Sequence, residues 1–227
     1  MLNIIKRLFI PLKHGVDEAG SDGTTVIWIH GANQSGLSFQ YLRSLTRFKN
    51  ELVVEYDTSH KFKDNLEMLS DEILKVKGPY FMIGHSLGGL YAIHLTKHVD
   101  VVGAVSISTP FAGSWTADWA RFFVPTYQLF RDVGRRSIPI KESQNIKLTV
   151  DWTQIVSTKG NVPYHGGQND GVCTIKSMKS RKDMELIEVP HTHFEVMCSD
   201  LVVEIILGCY QKVVRNKKTG NGIQKPF

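Results

Sequence analysis

The pentapeptide Gly84-His85-Ser86-Leu87-Gly88 constrains the fold of this chain more than any other feature of the sequence. It follows an apolar run at residues 80–83 and precedes a helix-like segment at residues 89–95. A strand, a Gly-x-Ser-x-Gly turn and a helix in this order place a serine hydroxyl on a sharp, strained turn at the edge of a sheet. A side chain at either glycine would strike the neighbouring strand or helix. We therefore predict an exposed Ser86, with the first N–H groups of the next helix able to face a developing anion.

Apolar runs alternate with amphipathic stretches along most of the chain, which is typical of a parallel sheet covered by helices. The apolar runs predict about six strands, at residues 25–29, 52–56, 80–83, 101–108, 153–157 and 185–189. Helical spacing predicts helices at residues 37–48, 66–76, 89–95 and 194–214. A chain of 227 residues suits one domain, so we assign residues 1–227 to a single mostly parallel α/β domain.

The alternation of strands and helices fails between Thr109 and Lys147. Trp115, Trp119 and Phe122 follow helical spacing in this segment, so we predict a short helical cap insertion at residues 111–147. An insertion after this strand leaves the sheet on the side where ligands bind, and these three side chains are therefore our candidate substrate-binding residues. Ordinary packing of the apolar stripe onto the sheet is the alternative interpretation.

A serine hydroxyl becomes a good nucleophile only when a base takes its proton, and that base must itself be oriented. Catalytic groups lie beyond the C-terminal ends of parallel strands, and two loops there carry candidates. Asp170, which follows the fifth strand, is the candidate acid ahead of Asp151 and Asp183. His193, which follows the sixth strand, is the candidate base, and His191 is its competitor.

Several local patterns occur together in the same chain order. They are His30-Gly31-Ala32 after the first strand, the serine pentapeptide, Ser108-Thr109-Pro110, Asn169-Asp170-Gly171-Val172, and His193 before an apolar helix. With these patterns the chain resembles a small lipase or esterase of the α/β-hydrolase superfamily, over about residues 24–197.

The resemblance implies a catalytic triad with Ser86 as nucleophile, Asp170 as acid and His193 as base. It also implies an oxyanion hole formed by the backbone N–H groups of Ala32 and Leu87. The expected fold is the α/β-hydrolase fold, and the expected reaction is the hydrolysis of a carboxylic ester without metal or organic cofactor. The same three residues could instead serve an acyltransferase or a thioesterase, and a non-catalytic binding module of this fold is a further alternative.

Composition limits the partners of the protein. A net charge of +5 without a nucleic-acid-binding motif gives no reason to expect a nucleic acid partner, so we expect a small-molecule or lipid ester as substrate. Three cysteines form an odd, sparse set without metal-ligand spacing, which favours a reducing compartment and a cytoplasmic location. Residues 1–12 are apolar but interrupted by Lys6 and Arg7, so we expect at most peripheral membrane contact. The sequence does not specify an oligomeric state.

A zinc site is the remaining alternative for the histidine loop. His165, Asp170, His191 and His193 are residue types that zinc accepts as ligands. A zinc site would leave the serine pentapeptide without a role, whereas the triad explains all three loops. We therefore expect no metal.

Overall fold

A computed structural model describes residues 22–114, 117–118, 128–163 and 167–219, and one sheet lies at the centre of this part of the chain. The strands are β1 (Thr25–Ile29), β2 (Glu51–Val54), β3 (Tyr80–His85), β4 (Val101–Ile107), β5 (Asp151–Ser157) and β6 (Glu185–Val189). They pair in the order β2-β1-β3-β4-β5-β6, and every pair is parallel. The predicted sheet of about six mostly parallel strands flanked by helices is therefore confirmed.

Helices cover both faces of the sheet. They are α1 (Gln40–Thr46), α2 (Phe62–Leu74), α3 (Leu87–Leu95), α4 (Gln128–Val133), α5 (Ile138–Asn145), α6 (Ile175–Met178) and α7 (Asp200–Lys218). The helix predicted at 37–48 begins as a 3-10 turn at Gly36–Phe39, and the helix predicted at 194–214 is divided into a 3-10 turn at Glu195–Cys198 and α7. No helix in the described ranges is long and apolar enough to cross a membrane.

Two apolar cores lie on opposite faces of the sheet because successive side chains of a strand point to opposite faces. In β1, Ile27 and Ile29 pack into the core that includes α2 and α3. Val26 and Trp28 pack into the core that includes α1 and α7. All five residues of β1 are buried, which explains why Thr25 is followed by four consecutive apolar residues in this strand.

The strand order fixes where a site can form. From β1 the chain moves to β2 on one side and then to β3 on the other, so the order reverses between β1 and β3. Loops that leave two strands at such a point run apart and open a crevice at their C-terminal ends. The loop after β1 and the serine turn after β3 border this crevice.

The helices α4 and α5 lie between β4 and β5, inside the segment predicted as a cap insertion. The helix α5 packs against α3, where the backbone carbonyl of Pro139 accepts a hydrogen bond from Nε2 of His94 at 3.0 Å. This part of the segment thus contacts the helix that follows the serine turn.

Candidate active site

Ser86 occupies the turn between β3 and α3. Its backbone has φ 52° and ψ −116°, outside the regions that residues with a side chain usually adopt. The N–H of Ser86 donates to the carbonyl of Ile107 in β4 at 2.8 Å, and its carbonyl accepts from the N–H of Gly89 at 3.1 Å. His85 and Leu87 are buried on either side, whereas Ser86 is only partly buried. The turn is therefore strained, as the sequence predicts, and it is held from both sides, while Ser86 is partly buried rather than fully exposed.

Two glycines allow this turn because the helix approaches the sheet too closely for a side chain. A Cβ atom at Gly84 would lie 2.6 Å from the backbone carbonyl of Gly88. A Cβ atom at Gly88 would lie 1.9 Å from the carbonyl oxygen of Ile29 in β1. Backbone atoms cannot yield as a flexible side chain can, so the predicted steric role of both glycines is confirmed.

Asp170 and His193 form a buried pair. His193 donates through Nδ1–H to Oδ2 of Asp170 at 2.7 Å, and its backbone N–H donates to the Asp170 carbonyl at 2.9 Å. The other carboxylate oxygen, Oδ1, accepts from the N–H groups of Val172 at 3.0 Å and Cys173 at 2.7 Å. The hydroxyl of Ser157 donates to Oδ2 at 2.5 Å. Both carboxylate oxygens therefore have two donors each.

The surroundings of Asp170 keep its side chain ionised. Burial alone would raise the pKa of this carboxyl group, since a charge is costly away from water. The hydrogen bond and charge of His193, followed by the Ser157 hydroxyl and the Cys173 N–H, outweigh burial and hold the pKa of Asp170 below its usual value. An ionised carboxylate at this position can fix the tautomer of the imidazole and stabilise an imidazolium.

His85 connects the serine turn to the histidine loop. Its Nε2 lies 3.0 Å from the backbone carbonyl oxygen of His193, and its Nδ1 lies 3.0 Å from Oε1 of Gln34. Burial, with a further contribution from the neighbouring His193, lowers the pKa of His85 to about 3, so this imidazole stays neutral. The rings of His85 and His193 are 4.9 Å apart between centroids.

Ser86 directly follows His85 in the chain, so the bond from His85 brings the histidine loop to the serine turn. Among the described residues, no hydrogen bond joins the Ser86 hydroxyl to His193. In ligand-free active sites such bonds are often long and shorten when substrate binds.

The competing candidates lie elsewhere. Nε2 of His191 is 2.8 Å from the hydroxyl of Ser199, at the start of α7. Asp151 is the first residue of β5, at the end of the sheet opposite to the serine turn. Asp183 pairs with Arg181 at 2.5 Å, just before β6 begins. The structure thus brings His193 and not His191 to the acid, and it separates the two rival carboxylates from this pair.

The two predicted oxyanion donors belong to the segments that border Ser86. Leu87 is the first residue of α3, and the first N–H groups of a helix have no partner within it. The loop after β1 passes so close that a Cβ atom at Gly31 would lie 3.3 Å from Cβ of Ser86. Gly31 also donates its N–H to Oε1 of Gln34 at 3.1 Å, which fixes the loop next to Ala32.

His30 anchors this loop on the segment that follows β2. Its ring stacks on Tyr56 with centroids 4.3 Å apart and an angle of 4° between the planes. The hydroxyl of Tyr56 donates to the His30 carbonyl at 2.7 Å, and Nε2 of His30 lies 3.2 Å from Glu55. His30 and Tyr56 thus hold the loop next to Ala32 in place.

A metal could be considered only at one group of described residues. Asp170, Cys173 and His193 have potential ligand atoms within 4.8 Å of one another. Burial, with a further contribution from Asp170, raises the pKa of the Cys173 thiol well above its usual value, and a protonated thiol is a poor ligand. The Asp170 carboxylate and the His193 imidazole already form a hydrogen bond with each other. Of the zinc set considered from the sequence, His191 bonds to the hydroxyl at the start of α7 and is not part of this group, and His165 lies outside the described residues.

The substrate side of the site is described only in part. The candidate substrate-binding residues Trp115, Trp119 and Phe122 lie outside the described residues. Phe194, which the sequence analysis did not select, is 59% exposed, and its ring meets the His193 ring edge-on with centroids 5.3 Å apart. Its position directly after the candidate base, as an apolar residue in a loop, is the signal that could have identified it.

Comparisons with known proteins agree with this fold. The chain matches the family described as "Alpha/beta hydrolase family" over residues 26–154, which is more than half of its 227 residues. No curated protein sequence matches the chain.

Solved structures share the fold at low sequence identity. Phospholipase PlaB from Legionella pneumophila in complex with thio-NAD is 14% identical, with a TM-score of 0.63 over 88% of this chain and 62% of that one. Lipase BlEst2 from Bacillus licheniformis, in its propeptide form, is 16% identical, with a TM-score of 0.67 over 82% and 50%. The ydeN gene product of B. subtilis is 21% identical, with a TM-score of 0.56 over 83% and 99%. The chain spans less than two thirds of the first two proteins.

Proposed function

The chain belongs to the alpha/beta hydrolase family, and on this premise we propose that it hydrolyses carboxylic esters through an acyl-enzyme intermediate on Ser86. The observation that carries the proposal is the buried hydrogen bond of 2.7 Å between Nδ1 of His193 and Oδ2 of Asp170. His85 ties this pair to the strained serine turn. A nucleophile, a base and an orienting acid in one crevice are the elements of serine hydrolase chemistry.

The first half of the proposed reaction forms the acyl-enzyme. Nε2 of His193 accepts the Ser86 proton while Oγ attacks the ester carbonyl carbon. The carbonyl oxygen becomes an oxyanion, which accepts hydrogen bonds from the N–H groups of Ala32 and Leu87. Loss of one such donor typically costs about 100-fold or more in rate. The Asp170 carboxylate stabilises the imidazolium, whose proton then passes to the leaving alcohol oxygen as the ester bond breaks.

The second half releases the acid. Water enters in place of the alcohol, and His193 accepts its proton while the water oxygen attacks the acyl carbon. The tetrahedral intermediate collapses, the bond to Oγ breaks, and His193 returns the proton to Ser86. The products are one carboxylic acid and one alcohol, and no metal or organic cofactor takes part.

The substrate class we propose is a small-molecule or lipid ester with an apolar acyl group. The exposed ring of Phe194 against the His193 imidazole supports an apolar wall at the reacting centre. Two of the similar structures carry the names phospholipase and lipase, which agrees with a lipid ester. A thioester or an acyl acceptor other than water would use the same residues, so the substrate series below includes both.

The decisive experiment compares wild-type protein with Ser86→Ala and with Ser44→Ala, an exposed serine on α1. We expect wild type and Ser44→Ala to hydrolyse p-nitrophenyl esters and to react with a fluorophosphonate, and Ser86→Ala to do neither. Acyl thioesters, and alcohols added as acceptors, extend the substrate series. A Ser86→Ala protein that still hydrolyses esters would refute the assignment of the nucleophile. A wild-type protein that neither hydrolyses esters nor reacts with the probe would favour the binding module instead.

A further inference from the structure

Two buried serines connect the central sheet to the Asp170 carboxylate. Ser108 directly follows β4, and Ser157 is the last residue of the neighbouring strand β5. Their hydroxyl oxygens are 2.7 Å apart, and the Ser157 oxygen is 2.5 Å from Oδ2 of Asp170. All three residues are fully buried, so water does not compete for these bonds.

The hydroxyl protons of Ser108 and Ser157 have only one consistent arrangement in these hydrogen bonds. The Asp170 carboxylate is ionised and can only accept, so the Ser157 hydroxyl must donate to Oδ2. Its single proton is then used, and Ser108 must donate to the Ser157 oxygen. The hydrogen bonds are thus donated in one direction, from Ser108 to Ser157 and from Ser157 to the carboxylate, and each bond polarises the next.

The backbone conformation of Ser108 supports a specific role for these two hydrogen bonds. Ser108 has φ 53°, a left-handed conformation that residues with a side chain rarely adopt. Its N–H donates to the carbonyl of Ile155 in β5 at 2.8 Å, which holds the residue in this conformation. Strained residues of this kind persist only where the surrounding structure fixes them, and they occur often at active sites.

We propose that Ser157 and Ser108 are positioning residues whose hydroxyls form a directed donor chain that holds the Asp170 carboxylate in place for His193. The inference rests on the proposed function, in which Asp170 orients the catalytic base. Oδ2 is shared between Nδ1–H of His193 and the Ser157 hydroxyl. Removing the hydroxyl takes away one of the four donors to the carboxylate and leaves His193 as the only donor to Oδ2.

Two measurable consequences follow from this sharing. A carboxylate with fewer donors moves more freely, so the imidazole is less well oriented and kcat falls. Its negative charge also acts more fully on the imidazole, which favours the imidazolium. Because only the neutral imidazole accepts the serine proton, the acid limb of the kcat/KM profile moves to higher pH.

The test compares Ser157→Ala and Ser108→Ala with Ser106→Ala as matched control. Ser106 is also a fully buried serine of β4 that bonds to a side chain of β5, and it accepts the indole N–H of Trp152 at 2.8 Å. It does not contact Asp170. We expect Ser157→Ala to lose about tenfold in kcat/KM and Ser108→Ala about threefold, because bonds to a charged group are stronger than bonds between neutral groups. We expect the acid limb to rise by roughly half a pH unit in Ser157→Ala, and Ser106→Ala to change the melting temperature only.

A double-mutant cycle with Asp170→Asn separates this inference from the proposed function. If Ser157 acts through Asp170, the effect of Ser157→Ala on kcat/KM disappears in the Asp170→Asn background. An Asp170→Asn protein with nearly wild-type kcat/KM would instead refute the acid itself. A Ser157→Ala protein that matches Ser106→Ala in rate and pH profile, while Asp170→Asn is inactive, would overturn only the positioning role.

A second readout does not depend on turnover. The Nδ1 proton of His193 is bonded to Oδ2 of Asp170 and should give a low-field proton NMR resonance. We expect this resonance to move in Ser157→Ala and to stay unchanged in Ser106→Ala. An unchanged resonance in both variants would contradict the donor chain.

Discussion

Replacing Asp170 with Asn removes the charge of the proposed catalytic acid and keeps its volume, so it tests the site sharply. The N–H groups of Val172 and Cys173 face Oδ1, while Nδ1 of His193 and the Ser157 hydroxyl face Oδ2. An asparagine has one oxygen and one NH2 group, so the NH2 group must meet one of these pairs of donors. The backbone N–H groups cannot change direction. The hydroxyl can rotate and the imidazole can change tautomer, so the NH2 group will face these two.

The consequence for catalysis follows from the tautomer. With an amide donor opposite Nδ1, His193 accepts there and carries its proton on Nε2, the atom that must receive the serine proton. The corresponding change in the best-studied serine protease triad lowers kcat by about 10⁴-fold. We expect a similar loss here, which corresponds to about 5.5 kcal/mol in the activation free energy at 1.36 kcal/mol for each factor of ten. The melting temperature should change little, because the bonds of the site are kept.

The assay is steady-state hydrolysis of p-nitrophenyl acetate between pH 5 and pH 10, together with the rate of fluorophosphonate labelling. Asp151→Asn is the matched control, since Asp151 lies at the opposite end of β5 from the Asp170 loop. We expect the control to keep wild-type kcat. A folded Asp170→Asn protein with kcat within tenfold of wild type would refute the argument from the four donors.

Three further predictions concern the candidate base, the serine turn and the helix α4. His193→Ala should lose hydrolysis by a factor of about 10³ or more while His191→Ala keeps it, and the reverse order of kcat would contradict our choice of base. Gly88→Ala should lower the free energy of unfolding by roughly 3 kcal/mol or more because its Cβ would lie 1.9 Å from the Ile29 carbonyl oxygen, so an unchanged urea midpoint would contradict the close approach. Burial raises the pKa of Asp132 in α4 to about 6 from 3.8, so the folded state keeps a proton that the unfolded state has lost between these values. The free energy of unfolding of the wild type should therefore fall by roughly 2–3 kcal/mol as the pH rises from about 4 to 6, and Asp132→Asn should lack this loss. Urea titrations that give the two proteins the same dependence of this free energy on pH would contradict the prediction.

The central strands β1 and β3 could be predicted from the sequence because they are buried on both faces. The apolar run at residues 25–29 predicted β1 with the bounds that the structure has. The strand β6 was also predicted at residues 185–189, although it is an edge strand with two glutamates and mostly exposed residues. The helix α6 escaped prediction because its four residues make little more than one turn, too few for a helical period to be visible. The break before α7 was also hidden, because a 3-10 turn and an α-helix bury similar apolar positions.

The parts of the candidate site that depend on the order of residues along the chain and on the positions of the strand ends were predictable. Asp170 and His193 come from loops at the C-terminal edge of the sheet, where catalytic groups of parallel sheets collect. The contribution of Ser108 and Ser157 was not predictable, because the direction of a hydroxyl at a strand end depends on the neighbouring strand. Serines at the C-terminal ends of two adjacent strands, ahead of a candidate acid, are a pattern that could be searched for in other chains.

Ser86 and Ser108 show how a serine with a positive φ at a strand end can serve two different chemical roles in one site. Ser86 directly follows β3 and Ser108 directly follows the neighbouring parallel strand β4. Both have a positive φ, 52° and 53° respectively. Ser86 is partly exposed beside a crevice, so its oxygen can meet a substrate. Ser108 is fully buried, and its proton is committed to Ser157. Strain places both hydroxyls, whereas burial decides which one is free to react, so a buried serine at a strained strand end is better interpreted as support for the catalytic acid than as a second nucleophile.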